Sequence, residues 1–348
     1  MRIVSISAKP FETPLIRPFT TSQGSAYVAK AVAIHLTLED GFVARGESVP
    51  VQYVTGETIE SVLADIRNTA PSLIGLSATA YRTAFEAIST CASNSPSARC
   101  GMEMAVLDAS AKLSGVSLFQ LLGGARSSVE SDITIPISSD APELAKDAWE
   151  AGFRVLKVKV GGGCADEEIA RVRSLIEAAP EAILRIDANQ AFTPERALAF
   201  AERLVAMKAN IQLLEQPVMK EDFEGLGWVA ERSPIPIFAD ESCRTPAHAL
   251  RLVTTTSVQG LNLKINKCGI QGVLDIIAIA RAAKRKLMIG CMLESRRSIA
   301  VSLAIACGTG HFDYCDIDSH LLLNETGVNE YFEQNGSVMS VLEVEGIE

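Results

Sequence analysis

RVLKVKV (residues 154–160), AILRIDAN (182–189) and IQLLEQP (211–217) are apolar runs of strand length, and each carries or ends on polar side chains. Five further runs of this kind flank them: ITIPIS (133–138), IPIFADES (235–242), GLNLKINK (260–267), KLMIGCMLES (286–295) and YCDIDSH (314–320). They recur roughly every 24–28 residues with helical spacing between, which is the length of a strand-plus-helix unit. Parallel strands covered by helices on both faces read as such near-continuous runs. Eight of them predict a closed (β/α) barrel in place of an open sheet.

Before this repeat the pattern differs. MRIVSISAKPFE (1–12) and YVAKAVAIHLTLEDGFVARGES (27–48) alternate like antiparallel strands, with a turn at Glu39-Asp40-Gly41. The polar stretch from Arg17 to Gly24 has no periodicity and reads as a loop. Helical spacing follows over Thr58–Asn68, Ala78–Ser89 and Ala98–Leu113, with Gly115 as the last stop. Leu121-Leu122-Gly123-Gly124 marks a boundary. The expected organisation is an α+β unit over 1–124, the barrel over 125–322, and a segment 323–348 that returns to the first unit.

Composition narrows the class. A net charge of −10 speaks against nucleic acid or an anionic membrane as partner, since both select clustered Lys and Arg. No apolar run approaches the roughly 20 residues of a membrane span, and the amino terminus lacks a signal core, so a cytoplasmic protein is expected. The eight cysteines are scattered without a C-x-x-C pair and read as reduced thiols. The four histidines have no partner at ligand spacing, which disfavours a His-based metal site or a Ser-His-Asp triad.

The chemistry is carried by where charges fall. Lys157 and Lys159, Asp187 and Asn189, Glu215, Asp240, Lys264, Glu294, and Asp316 with Asp318 all close apolar strands. In a parallel barrel those ends ring the one face on which active sites are built. Pairs at i, i+2 point to the same side of a strand. Singly, each has an ordinary reading: K-x-K as a solvated face, Asp as the cap of the next helix, Glu before Gln-Pro as a turn residue. Five successive strand ends in one order make a joint pattern that those readings leave to coincidence. Three converging carboxylates repel unless a cation sits between them. Ligation by Asp187, Glu215 and Asp240 oxygens favours Mg²⁺ over Zn²⁺. Lys159 and Lys264 would then flank the α-carbon of a metal-bound carboxylate substrate, with the metal stabilising the enediolate formed when the α-proton leaves. Nearby Lys157 and the metal are expected to lower the basicity of the acting lysine.

Taken together, Lys157-x-Lys159, Asp187, Glu215-Gln216-Pro217, Asp240-Glu241-Ser242 and Lys264 resemble the muconate-lactonizing subgroup of the enolase superfamily over essentially the whole chain. The use there of a Lys or His base with Mg²⁺ is an established property of that superfamily. The resemblance implies a (β/α)7β barrel under an N-terminal capping domain. Within the subgroup, Gly290-Cys291-Met292-Leu293-Glu294-Ser295 and Asp316-Ile317-Asp318 resemble the dipeptide epimerases, in which the D-x-D carboxylates hold the free α-ammonium of the substrate.

The implied reaction is 1,1-proton transfer at the α-carbon of the C-terminal residue of a dipeptide. The implied substrate contacts are Thr134, Gln23, Gly24, Met292, Glu294, Ser295, Asp316 and Asp318. N-acylamino acid racemase, o-succinylbenzoate synthase and muconate cycloisomerase remain alternatives on the same scaffold, and homo-oligomerisation is left open. Epimerases acting on L-Ala-D/L-Glu carry an arginine in the loop between the first two strands. Gly24 stands there in this chain, with Arg17 too early and Arg297 read as a surface residue in preference to a substitute cation. A side chain other than Glu is therefore expected at the reacting residue.

Overall fold

The computed structural model describes residues 1–325 and 331–342. The chain opens with β1 (Ile3–Thr21), β2 (Gly24–Leu38) and β3 (Val43–Ser48), an antiparallel sheet in the order β1-β2-β3. Helices α1 (Gln52–Thr55), α2 (Ile59–Leu73), α3 (Tyr81–Cys91), α4 (Pro96–Ser114) and α5 (Leu118–Leu121) follow. Local chemistry sets their ends. Thr58 and Ser61 form a reciprocal capping box at the start of α2, while α4 begins with Pro96 in its first turn and ends on left-handed Gly115.

The stretch from Arg17 to Gly24 is not the loop its irregular polarity suggests. β1 continues to Thr21, and the hairpin turns over Ser22 and Gln23 alone. A register shift between Pro14 and Phe19 breaks the two-residue alternation, while Phe19, Thr20 and Thr21 still pair with Ala26, Ser25 and Gly24.

After β4 (Ser128–Glu130), strand and helix alternate: β5 (Ile133–Ile135), α6 (Ala141–Glu150), β6 (Val155–Lys159), α7 (Ala165–Ala178), β7 (Ile183–Asp187) and α8 (Pro194–Ala206). Then come β8 (Ile211–Glu215), α9 (Phe223–Arg232), β9 (Ile237–Ala239), α10 (Pro246–Thr255), β10 (Gly260–Leu263), α11 (Ile265–Cys268) and α12 (Ile270–Ala282). β11 (Lys286–Gly290), α13 (Arg296–Thr309) and β12 (Tyr314–Asp316) complete it. The eight strands β5–β12 are parallel neighbours in chain order. The ring closes where Ser131 bridges Cys315 and Asp132 N–H donates to Cys315 O at 3.1 Å. This is the expected barrel: seven strand–helix units and a last strand.

Below the charged face the interior is filled. Leu213, Phe238 and Met288 pack together with Tyr314 against them, and the Arg185 guanidinium lies 4.5 Å over the Tyr314 ring while bonded to Asp132 Oδ2 at 2.7 Å. The first sheet and its helices grip the barrel through buried carboxylates placed at helix starts. Glu47 accepts from Ser295 N–H at 2.9 Å at the start of α13, and Glu103 accepts from Ile270 N–H at 2.5 Å at the start of α12. Both oppose the positive end of a helix dipole with unsatisfied amides.

The final described strands, β13 (Phe332–Asn335) and β14 (Val338–Val341), form a small sheet with β4 in the order β13-β14-β4. Contact with β1 comes earlier, where Leu323 bridges Leu15 and Asn324 N–H donates to Pro14 O at 2.9 Å. Residues 326–330 and 343–348 of the expected 323–348 segment lie outside the described residues. All eight cysteines are free, and among the described residues no helix is long and apolar enough to cross a membrane.

Candidate active site

Lys159, Asp187 and Glu215 end β6, β7 and β8 in register with one another. Asp240 follows β9, Lys264 follows β10 and Asp316 ends β12, so all six stand on one rim. β6 and β10 lie four places apart in an eight-strand ring, as do β8 and β12. The two lysines therefore face each other across the barrel axis, and the D-x-D strand faces the middle of the acidic group.

Asp187, Glu215 and Asp240 are fully buried, each offering an oxygen within 4.8 Å of the others. One oxygen of each is tied to protein. Asn189 N–H donates to Asp187 Oδ1 at 2.9 Å, Asn262 Nδ2 to Glu215 Oε1 at 2.6 Å, and Lys267 Nζ to Asp240 Oδ1 at 2.5 Å. The second oxygens meet only ammonium groups in ion-pair contact: Asp187 Oδ2 is 2.6 Å from Lys159 Nζ, Glu215 Oε2 is 2.9 Å from Lys157 Nζ, and Asp240 Oδ2 is 2.8 Å from Lys264 Nζ. Glu215 Oε2 and Asp240 Oδ2 accept no directed hydrogen bond. Three restrained carboxylates, each with one oxygen tied to protein donors and the other turned toward its neighbours and met by a lysine ammonium, form a hard, all-oxygen donor set. It fits a divalent cation such as Mg²⁺.

The electrostatics agree. Burial, with Asp187, Asp240 and Asp316 nearby, pushes Glu215 up to about 8 against the pull of Lys157. Burial also disfavours charge on Asp240, but Lys264, Lys267 and Lys157 hold it well below the usual carboxylate range. Among themselves these protein groups raise Lys264 and Lys157. Burial lowers Lys264, yet Asp240, with Glu215 and Asp316, holds it well above its ordinary value despite the repulsion of Lys157. Lys157 is raised in the same way, chiefly by Asp316, Glu215 and Asp187.

A cavity of about 420 Å³ opens over this floor, between barrel rim and capping sheet. Lys157, Lys159, Lys264, Asp316, Asp318, Thr134, Gln23, Gly24 and Met292 line it. Asp316 is bonded to Lys157 Nζ, and Thr134 N–H donates to Asp318 Oδ2 at 2.6 Å. Burial and then Asp316 raise Asp318 to about 6. Gln23 Nε2 donates to Asn189 O at 2.7 Å, which sets the hairpin tip directly above the β7 end. That approach needs a glycine beneath it: a Cβ on Gly161 would come within 2.2 Å of Ala191 Cβ and 3.2 Å of Ser22 Cβ.

Glu294 and Ser295 are not brought to the cavity. Glu294 turns back to accept from Met292 N–H at 2.9 Å and from Ser298 Oγ, and Ser295 caps α13 and binds Glu47. Arg297 stacks 4.7 Å over the Tyr331 ring and Arg17 pairs with Asp140 at 3.6 Å, both away from the cavity. Asn189, a strand-end polar group, and Glu241, from the Asp240-Glu241-Ser242 run, line the cavity without having been assigned a role, while sequence reasoning passed over Tyr53, which also lines it, and Lys267 beneath it. Burial and then Asp240 and Asp187 push Glu241 up to about 7. The one available signal was Lys264-x-x-Lys267, an i, i+3 repeat of the charge at the β10 end.

Two family models match. "Mandelate racemase / muconate lactonizing enzyme, N-terminal domain" covers residues 5–123, and "Enolase C-terminal domain-like" covers residues 140–347. The chain is 37% identical over 341 residues to an L-Ala-D/L-Glu epimerase of Thermotoga maritima, covering 97% of both chains. It superposes on the substrate-liganded L-Ala-D/L-Glu epimerase of Bacillus subtilis with a TM-score of 0.96 at 32% identity, covering 99% and 98%. A dipeptide epimerase of Enterococcus faecalis complexed with Mg and L-Leu-L-Tyr gives 0.95 at 31%, covering 99% of both chains. With both domain models matched along nearly its full length, as the rim lysines and acidic triad led one to expect, the chain belongs to the mandelate racemase/muconate lactonizing enzyme family of the enolase superfamily.

Proposed function

We propose that this protein is a Mg²⁺-dependent dipeptide epimerase, an isomerase that inverts the α-carbon of the C-terminal residue. The observation that carries the reading is the placement of Lys159 and Lys264 on opposite arcs of the rim with the acidic triad between them. Asp187, Glu215 and Asp240 would hold the ion, whose charge would offset that of the substrate carboxylate and so acidify the neighbouring α-carbon. Lys159 Nζ or Lys264 Nζ accepts the α-proton according to configuration, and the opposite ammonium returns one to the other face. Taking up that role requires a neutral amine. Compensating the triad's charge removes what raises Lys264 and leaves burial and Lys157 to lower it. Asp316 and Asp318 receive the substrate ammonium at the far end of the cavity, a charge match that an N-acylated amine cannot make.

The side chain of the reacting residue is read as uncharged. Phe19, Val28, Val51, Val54, Leu293 and Leu322 give the cavity apolar walls. Gly24 offers no cation, and Lys30 on the same wall is paired with Glu12 at 3.4 Å. The domain limits at 124 and 322 and a cytoplasmic location belong to the same reading. The test is an L,L-dipeptide library in deuterated water with Mg²⁺, read by mass spectrometry for one α-deuteron. Incorporation into free dipeptides, lost on adding EDTA, is expected. Faster turnover of N-acyl amino acids than of any dipeptide would overturn the assignment.

A further inference from the structure

The roof over the cavity is a single helical turn. α1 spans four residues, Gln52–Thr55, and ends on left-handed Gly56. A helix that short has no stability of its own, and its last carbonyls lack intrahelical partners. Two attachments hold it. Val54 packs with Ala31, Val49 and Met292, and Tyr53 lines the cavity beside it. On the carbonyl side, Lys220 Nζ donates to Tyr53 O at 2.5 Å and to Val54 O at 3.3 Å, and Arg244 Nη1 reaches Val54 O at 3.5 Å. Both cations come from barrel loops, five residues beyond Glu215 and four beyond Asp240.

The backbone of Lys220 is itself a junction. Its N–H donates to Gln190 Oε1 at 3.0 Å, and its carbonyl accepts from Ser242 Oγ at 2.9 Å. Gln216 completes the knot by donating from Nε2 to Ser242 Oγ at 2.9 Å and accepting from Asp240 N–H at 2.9 Å. Gln190, Gln216 and Ser242 follow Asp187, Glu215 and Asp240 by three, one and two residues. The loops after all three acid-bearing strands thus meet at the residue that holds the roof.

We infer that Lys220 is a positioning residue: its ammonium fixes the Tyr53–Val54 turn to the junction of the three loops and so keeps the cavity closed over substrate. It touches no reacting atom. Its loss opens the roof while leaving the barrel core and the proton-transfer groups in place. This rests on the proposed function only for its kinetic arm.

The test compares wild type, Lys220→Met and Lys220→Arg, all loaded with Mg²⁺, by hydrogen exchange of the amides in 51–56 and by steady-state kinetics on a turned-over dipeptide. Lys220→Met is expected to speed exchange in 51–56 about tenfold and to raise KM about tenfold with kcat changed less than about threefold, the size of one charged hydrogen bond. Lys220→Arg restores most of both. Unchanged exchange at 51–56 in Lys220→Met, or a fall in kcat at constant KM, overturns the inference. If wild type turns over no dipeptide, the proposed function fails and the exchange arm decides Lys220 alone.

Discussion

Lys159 and Lys264 reach the acidic triad from opposite arcs of the barrel, the first at 2.6 Å from Asp187 Oδ2 and the second at 2.8 Å from Asp240 Oδ2. Each ammonium is held by a different carboxylate, so each can be removed without unseating the other.

Lys159→Ala and Lys264→Ala should therefore fail in complementary ways. Each variant is expected to exchange the α-proton of one configuration only, and epimerisation in either direction should fall by about 10²–10⁴-fold. Following deuterium wash-in separately from the L- and D-configured substrates decides the matter. A variant that still interconverts both at near wild-type rates sinks the two-base scheme.

Removing a triad ligand should be read first in binding. Wild type at a hundredfold excess of Mg²⁺ over Kd gains about 3 kcal/mol of stability by mass action. Glu215→Gln keeps the shape and the Asn262 contact but withdraws a charged ligand, so most of that gain should vanish. Thermal melts with and without Mg²⁺ measure it; an undiminished shift would place the ion elsewhere.

Asp318 gives a pH signature. Its carboxyl is held up at about 6, so it is charged above that pH and neutral below it. KM for free dipeptides should rise as pH falls through 6. Asp318→Asn should abolish that rise and cost about 10–100-fold in kcat/KM at neutral pH, the value of a charged hydrogen bond. Loss of equal size toward N-acetylated substrates would show that Asp318 does not meet the ammonium.

Glu47 links stability to pH in the opposite sense to a salt-bridged acid. Burial raises it from 4.5 to about 7 in the fold, against the bonds from Ser295. Its contribution is complete below 4.5 and is lost as pH climbs from there to 7, a change of about 3 kcal/mol. Glu47→Gln has no proton to lose. The stability of the variant minus that of wild type should grow between pH 4.5 and 7 in chemical denaturation, and a flat difference would refute the assignment.

Much of this was legible because a barrel makes strand order and ring position the same thing. Once Lys159, Asp187, Glu215, Asp240 and Lys264 were seen at five successive strand ends, their arrangement followed from counting. What resisted reading depended on backbone direction after the strand. Glu294 looks like another rim acid, but the chain turns at Met292 and folds its carboxylate back onto its own loop. Tyr53 comes from the other domain, where a four-residue helix leaves no periodic trace. The hairpin tip was hidden by the register shift at Pro14.

The carboxylates by which the cap grips the last two barrel helices carry a consequence for how the protein is made. Glu47 and Glu103 leave the ribosome 248 and 167 residues ahead of the amides they will bind at Ser295 and Ile270. The first domain must then wait, its acids ionised and hydrated, until translation is nearly finished. Docking it closes very long loops at the end of synthesis, so it is a late and slow event with which a truncated nascent chain cannot proceed.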